Sequence, residues 1–80
     1  MTVVFDTTIL VDINFVQLSK DKKLTLSNNV HSITIDMNLT GLNDEGILFI
    51  LNHIVFSIER DVKIINLSNL IKNEQVRQDV

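Results

Sequence analysis

The chain has no cysteine, no proline, no tryptophan and no tyrosine, and it has only two glycines among its 80 residues. Without cysteine it can form neither a disulfide framework nor a thiolate-based metal site. Without proline, and with glycine only at positions 41 and 46, most of its turns must be made by Asn, Asp and Ser. A chain of this length is expected to be one small domain, residues 1–80, with a thin core.

The chain is instead rich in aliphatic residues: 45% of it is apolar and the mean hydropathy is +0.24. A chain so short and so apolar has more hydrophobic surface than it can bury alone, so we expect a homo-oligomer or a permanent protein partner. The longest apolar run, Ile47–Leu51, is far shorter than the ~20 residues that span a bilayer. The segment Met1–Asp6 lacks the basic region and cleavage site of a signal peptide. We therefore expect a cytoplasmic protein that is not associated with a membrane.

The net charge of −3 and the pI near 5.1 argue against a nucleic-acid-binding protein, because phosphate contacts need clustered Lys and Arg. The basic residues are scattered, and the closest group, Lys20–Lys23, is typical of a solvated turn. The chain also lacks alanine and is rich in Ile and Asn. That composition is associated with an A/T-rich coding sequence, as in a phage or a low-GC bacterium.

The N-terminal half has two stretches of alternating apolar and polar residues. Thr8–Phe15 alternates strictly and predicts a half-buried strand. His31–Asn38 alternates again and is rich in β-branched residues, which favours a second strand. Between them, Val16–Asn29 has room for a short helix or a hairpin, and we prefer a hairpin that turns at Lys20–Lys23. The residues expected on the buried face of the first strand are Ile9, Val11, Ile13 and Phe15.

The central part of the chain predicts a helix packed on a sheet. Asn43 or Asp44 is suited to cap it, and Asp44 and Glu45 place negative charge at the positive end of the helix dipole. Asp61 is expected to end it. The wide apolar stripe is typical of a helix that packs on a sheet. Its members are Ile47, Leu48, Ile50, Leu51, Ile54, Val55 and Ile58.

After this helix, Val62–Leu67 is a short apolar run that predicts a buried strand. Ser68 can cap a final helix, and the polar residues Asn73–Val80 are expected to form a frayed tail. A strand, helix and strand joined this closely should form a right-handed crossover with parallel strands. The predicted class is therefore α/β with a mixed sheet: antiparallel strands first, then strand, helix, strand and helix, with the helices on one face.

Few residues suggest chemistry. The two histidines, His31 and His53, have no ligand at a suitable helical spacing, and a solvent-exposed position is the simpler interpretation for each. The chain contains no P-loop and no Gly-x-Ser-x-Gly elbow. Asp44 and Glu45 are adjacent, so on a helix they point in different directions and cannot form an acid–base pair. We expect no enzyme activity, no metal and no cofactor, although a ligand site around His53 is an open alternative.

The segment Ile35–Ile47 resembles the signature of the STAS domain, the fold of anti-sigma factor antagonists and sulfate-transporter tails. In that family a strand ends in Asp-Leu-Ser-Gly, and an Asp-Ser-x-Gly turn and an aliphatic helix follow. Here Asp36 matches the aspartate at the strand end, and Asn43–Gly46 falls on the second turn. The segment Arg60–Leu67 resembles the next strand, so the similarity covers about residues 32–71.

The resemblance implies a regulatory protein that binds a protein partner through this turn. The contact residues would be Asn43, Asp44, Glu45 and Gly46, with Lys or Arg expected on the partner. Regulated members carry a phosphorylatable Ser or Thr where this chain has Asp44, so phosphorylation could not switch it there. Two other interpretations are open. The turn could simply cap a helix, or the chain could be a small phage or bacterial inhibitor that acts as a homodimer through an apolar surface or a sheet edge.

Overall fold

Three antiparallel strands precede two helices in residues 12–62 and 67–78, the parts of the chain that the computed structural model describes. The strands are β1 (Phe15–Leu18), β2 (Lys23–Ser27) and β3 (Ser32–Asp36), and they lie in the order β1-β2-β3. A short 3-10 helix (Met37–Thr40) leads into α1 (Asp44–Glu59), and α2 (Leu67–Gln78) follows. The protein therefore has a mixed α/β fold.

The hairpin expected within residues 16–29 is confirmed. Val16 pairs with Leu26 and Leu18 pairs with Leu24 in an antiparallel register, so these four aliphatic side chains share one face. The Lys20–Lys23 turn connects the two strands, and Lys22 adopts the left-handed conformation there, with φ of 66°. Apart from Phe15, the opposite face of the sheet is polar, as expected for an antiparallel sheet that is covered on one side only.

The first predicted strand is wrong in the part that the structure describes. Only Phe15 belongs to a strand, while Ile13 lies before β1 and Thr8–Val11 lie outside the described residues. Phe15 pairs with Ser27 and is 47% exposed, so it does not share the buried face of Ile13. The second predicted strand is shorter than expected, because its last two residues belong to the 3-10 helix.

The core lies between the sheet and the inner face of α1, so both helices cover the same side of the sheet. Buried and more exposed residues alternate along β2, so its two leucines face the core. Three isoleucines of α1 are spaced so that they lie on one side of the helix, and they face the core as well. From α2, two aliphatic side chains complete the cluster. The buried members are Ile13, Leu24, Leu26, Ile35, Met37, Leu42, Ile47, Ile50, Ile54, Leu67 and Ile71.

The last residue of α1 is Glu59, and Asp61, which was expected to end the helix, belongs to the motif that stops it. The Val62 N–H donates to the carbonyl of Ser57 (2.8 Å), and the Asp61 N–H donates to that of Ile58 (3.2 Å). This is the Schellman arrangement, which needs a left-handed residue after the helix. Asp61 supplies it with φ of 54°. The helix therefore stops here with its last carbonyls satisfied, at the cost of placing a residue with a Cβ in a strained conformation.

We expect Asp61→Gly to raise the free energy of unfolding by about 0.5–1 kcal/mol, because glycine reaches this φ without a Cβ clash. Urea denaturation followed by circular dichroism measures the change. The matched control is Asp61→Ala, which removes the carboxylate but keeps the Cβ. If alanine stabilised the protein as much as glycine, backbone strain at position 61 would not be the cause.

The region after α1 differs from the expectation where it is described. Val62 belongs to the helix-ending motif, residues 63–66 lie outside the described residues, and Leu67 already begins α2. Ser68 is therefore inside the helix and does not cap it. The strand–helix–strand–helix order is not found in the described residues, where all three strands come before both helices. Asn73–Gln78, expected as a frayed tail, form the last turns of α2, and residues 79–80 lie outside the described residues.

Candidate interaction site

The connection from β3 to α1 is held by short polar side chains. The Asp36 carboxylate accepts from the backbone N–H of Asn38 (3.0 Å) and caps the 3-10 helix. Asn38 also donates through Nδ2 to the carbonyl of Asp21 (2.8 Å), which ties this connection to the β1–β2 turn. Gly41 ends the 3-10 helix with φ of 77°, a conformation that favours glycine. These contacts fix where α1 begins.

The four residues expected to bind a partner do lie together at the start of α1. Asn43 is the N-cap, and its Oδ1 accepts from the N–H of Gly46 (2.9 Å). Asp44 and Glu45 are exposed in the first turn. Gly46 is buried, so it can contribute to a contact only through its neighbours. Asp44 and Glu45 are thus the members that present charged side chains to solvent.

The end of α2 covers part of this turn, which the sequence did not predict. Gln78 accepts the Asn43 N–H through Oε1 (3.0 Å), and Gln75 donates to the carbonyl of Thr40. A Cβ at Gly46 would overlap the Gln78 side-chain amide, so a larger residue at position 46 would require the flexible Gln78 side chain to move. Each of these two hydrogen bonds joins residues that are 35 positions apart in the sequence, so no local sequence pattern could have predicted them.

The burial of the Glu74 side chain is the other feature of α2 that the sequence did not predict. Its Oε1 accepts from the Arg77 guanidinium (2.5 Å), and the Gln78 amide lies 3.4 Å from the same oxygen. Buried carboxylates need such partners. The polar residues expected to fray are therefore ordered, through these contacts within α2 and through the hydrogen bonds of Gln75 and Gln78 to the connection before α1.

Asp44 forms an ion pair with another residue of the same chain. Its carboxylate lies 2.5 Å from the Lys22 Nζ, so an ion pair joins the β1–β2 turn to the first turn of α1. Both side chains remain substantially exposed, and such pairs contribute less than about 1 kcal/mol. In the same turn, the hydrogen bond from the Ser19 hydroxyl, aided by Lys23, holds the pKa of Asp21 below its ordinary value of 3.8.

A shallow groove of about 260 Å³ lies between this turn and α1. Lys22 and Asp44, which form the ion pair, line part of the groove, and the rest of its lining is largely apolar. The groove opens widely to solvent and holds no buried polar group, so its geometry favours protein contact over a small-molecule site. Its lining residues are Leu18, Ser19, Lys20, Lys22, Asp44, Ile47 and Leu48.

Three large apolar side chains are exposed on the outer side of α1. Leu48, Phe49 and Phe56 are 51%, 40% and 50% exposed. Two guanidinium groups lie over the phenylalanine rings, that of Arg60 at 3.7 Å from the Phe56 centroid and that of Arg77 at 4.8 Å from the Phe49 centroid. We refer to the exposed stripe that contains these side chains as the outer face of α1. It comprises Glu45, Leu48, Phe49, Asn52, His53, Phe56 and Arg60.

The sequence placed Leu48 in the buried stripe, and the structure corrects this. The correction has a simple geometric reason: Ile47, Ile50 and Ile54 already face the sheet, and Leu48 lies about 100° around the helix from Ile47. Phe49 and Phe56 were not assigned to either face. Their spacing of seven residues, offset from the isoleucines, was the signal that could have identified the outer face.

Both histidines are exposed, as expected. His53 lies on the outer face of α1 and His31 lies just before β3. Within residues 12–62 and 67–78, no group of three His, Asp or Glu side chains is arranged to hold a metal ion. No helix found in those same ranges is both long enough and apolar enough to cross a membrane.

The chain matches no protein-family model, no curated protein and no solved structure. The function must therefore be argued from the residues at the start of α1 and on its outer face.

Proposed function

We propose that this protein is a non-enzymatic protein–protein interaction module that binds a partner through the Asn43–Gly46 turn and the outer face of α1. The observation that carries the proposal is the exposed pair Phe49 and Phe56, of which Phe49 lies one helical turn after the acidic residues Asp44 and Glu45. Exposed aromatic side chains bordered by charges are typical of the centre and rim of a protein interface. The partner would present Lys or Arg opposite the acidic turn.

The STAS-like interpretation is part of this proposal. It is supported by the start of α1 at Asp44, in the position where regulated STAS domains carry a phosphorylatable residue, and by the cap that Asn43 makes there. In this chain a carboxylate occupies that position and pairs with Lys22. The turn would then be a constitutive contact surface of a cytoplasmic regulatory protein, and its charge would not depend on a kinase.

A second form of the function is a small phage or bacterial regulator that acts as a homodimer. The same exposed side chains favour it, because apolar surface on a soluble domain marks a site of association. Phe49 and Phe56 lie on one continuous helical stripe, which a second helix can cover.

Glu45→Lys should abolish or strongly reduce capture of the partner, because it reverses the charge of an acidic residue in the first turn without breaking the ion pair of Asp44. A pull-down from the source cell, quantified by mass spectrometry, measures the recovery of each protein relative to wild type. The matched control is Glu59→Lys, the same substitution at the other end of α1. Recovery of the same partner at equal yield with both variants would contradict a role for the acidic turn.

A further inference from the structure

We propose that two copies of the chain form a symmetric dimer in which the outer face of α1 packs antiparallel against itself, around a two-fold axis beside Asn52 and His53. The inference rests on the second form of the proposed function, and it specifies which surface is used and in which register. Phe49 and Phe56 lie on either side of this centre, each three residues from one of the two central residues.

The order of residues along the outer face suits a two-fold axis. Read from its centre, the face presents a polar residue, then a phenylalanine and finally a charged residue in both directions, although Leu48, between Phe49 and Glu45, has no exposed counterpart in the other direction. In a symmetric dimer, residue i contacts residue j of the second copy while j contacts i, so the surface must be complementary to itself. An antiparallel arrangement places Phe49 against Phe56 twice and brings Asn52 close to His53 twice.

Charge selects the antiparallel arrangement. Glu45 lies at the N-terminal end of the outer face, and Arg60 lies at its C-terminal end. Antiparallel packing brings each Glu45 opposite the Arg60 of the second copy, whereas parallel packing would oppose like charges. Each end of the face also carries a residue of the other sign, Arg77 over Phe49 and Glu59 beside Arg60. The pair of Glu45 and Arg60 is the one that the antiparallel register brings together.

The two polar residues at the centre give the dimer a fixed register. Asn52 and His53 are both exposed, and each can donate and accept hydrogen bonds. In helix–helix interfaces a central polar residue specifies register, because a shifted arrangement leaves it against apolar side chains. In the dimer, Asn52 and His53 of one copy find hydrogen-bond partners in His53 and Asn52 of the other.

The absence of cysteine from the chain permits a direct test with single-cysteine variants and a short bis-maleimide cross-linker. Asn52→Cys and His53→Cys should give covalent dimers at least tenfold faster than Thr34→Cys, because facing helices lie about 8–10 Å apart. Thr34 is the control, since it is exposed on the opposite, polar face of the sheet. Equal rates for the three variants, or faster cross-linking through Thr34, would overturn the proposal.

Sedimentation equilibrium then tests the register. Glu45→Arg and Arg60→Glu should each weaken the dimer at least tenfold, and the double variant should restore it. Phe56→Asp should give a monomer, whereas Phe15→Asp, at an exposed phenylalanine of β1, should not. A monomeric wild type at high micromolar concentration, or a double variant no tighter than the single ones, would overturn the proposal.

These outcomes are separable from partner binding. The Glu45→Arg/Arg60→Glu double variant should dimerise yet fail to capture the partner in a pull-down, because an arginine replaces one of the two acidic residues in its first turn. A monomeric wild type that still captures a partner would overturn only the dimer.

Discussion

Replacing Ile54 with alanine is expected to lower the free energy of unfolding by about 2–5 kcal/mol, enough to unfold much of a domain of this size. Ile54 is completely buried between α1 and the sheet, and truncation would leave a cavity that the strands cannot collapse to fill. Chemical denaturation measured below the concentration at which the protein associates gives the value without a contribution from dimerisation.

Leu48→Ala is the matched control for this result. It truncates an aliphatic side chain on the same helix, but Leu48 is half exposed on the outer face. We expect a change within about 0.5 kcal/mol, as is usual for surface substitutions. If the Leu48 and Ile54 variants lost equal stability, α1 would not divide into a core face and an exposed face.

Thr40→Val is expected to cost about 1–3 kcal/mol, although valine has nearly the same shape as threonine. The buried Thr40 hydroxyl donates to the Met37 carbonyl (2.6 Å) and accepts from the Leu42 N–H (3.2 Å). Valine removes both hydrogen bonds and leaves two backbone groups without their partner just before the candidate turn.

Thr40→Ser provides the comparison, because serine retains the hydroxyl and loses only one methyl group. Thermal or urea denaturation should rank wild type first, serine second and valine last. A valine variant at least as stable as the serine variant would show that the hydroxyl of Thr40 does not stabilise the connection from β3 to α1.

The features that could be predicted from the sequence are those set by neighbouring residues. The cap at Asn43, the isoleucine stripe of α1 and the end of the helix just before Asp61 all depend on groups within one or two helical turns. The hairpin after Val16 is predictable for the same reason, since Lys20–Lys23 forms a local turn. Such local patterns predict the structure correctly because the tertiary contacts favour the same conformation.

The features that could not be predicted depend on contacts between distant residues. Pairing with β2 sets the register of β1 and turns Phe15 outward, although the local alternation placed it inward. In the same way, the order of the last turns of α2 depends on contacts that Gln75 and Gln78 make with the connection before α1. The ion pair of Lys22 with Asp44 joins two turns that are adjacent only after folding.

The central claim is that α1 uses its inner face for the core and its outer face for association. It is tested most directly by two-dimensional ¹⁵N–¹H NMR spectra recorded over a dilution series. We expect the concentration-dependent shifts to fall on the outer face, with the largest changes around Asn52 and His53, while the signals of β2 at the centre of the sheet stay unchanged. Spectra independent of concentration, or shifts centred on the sheet, would contradict it.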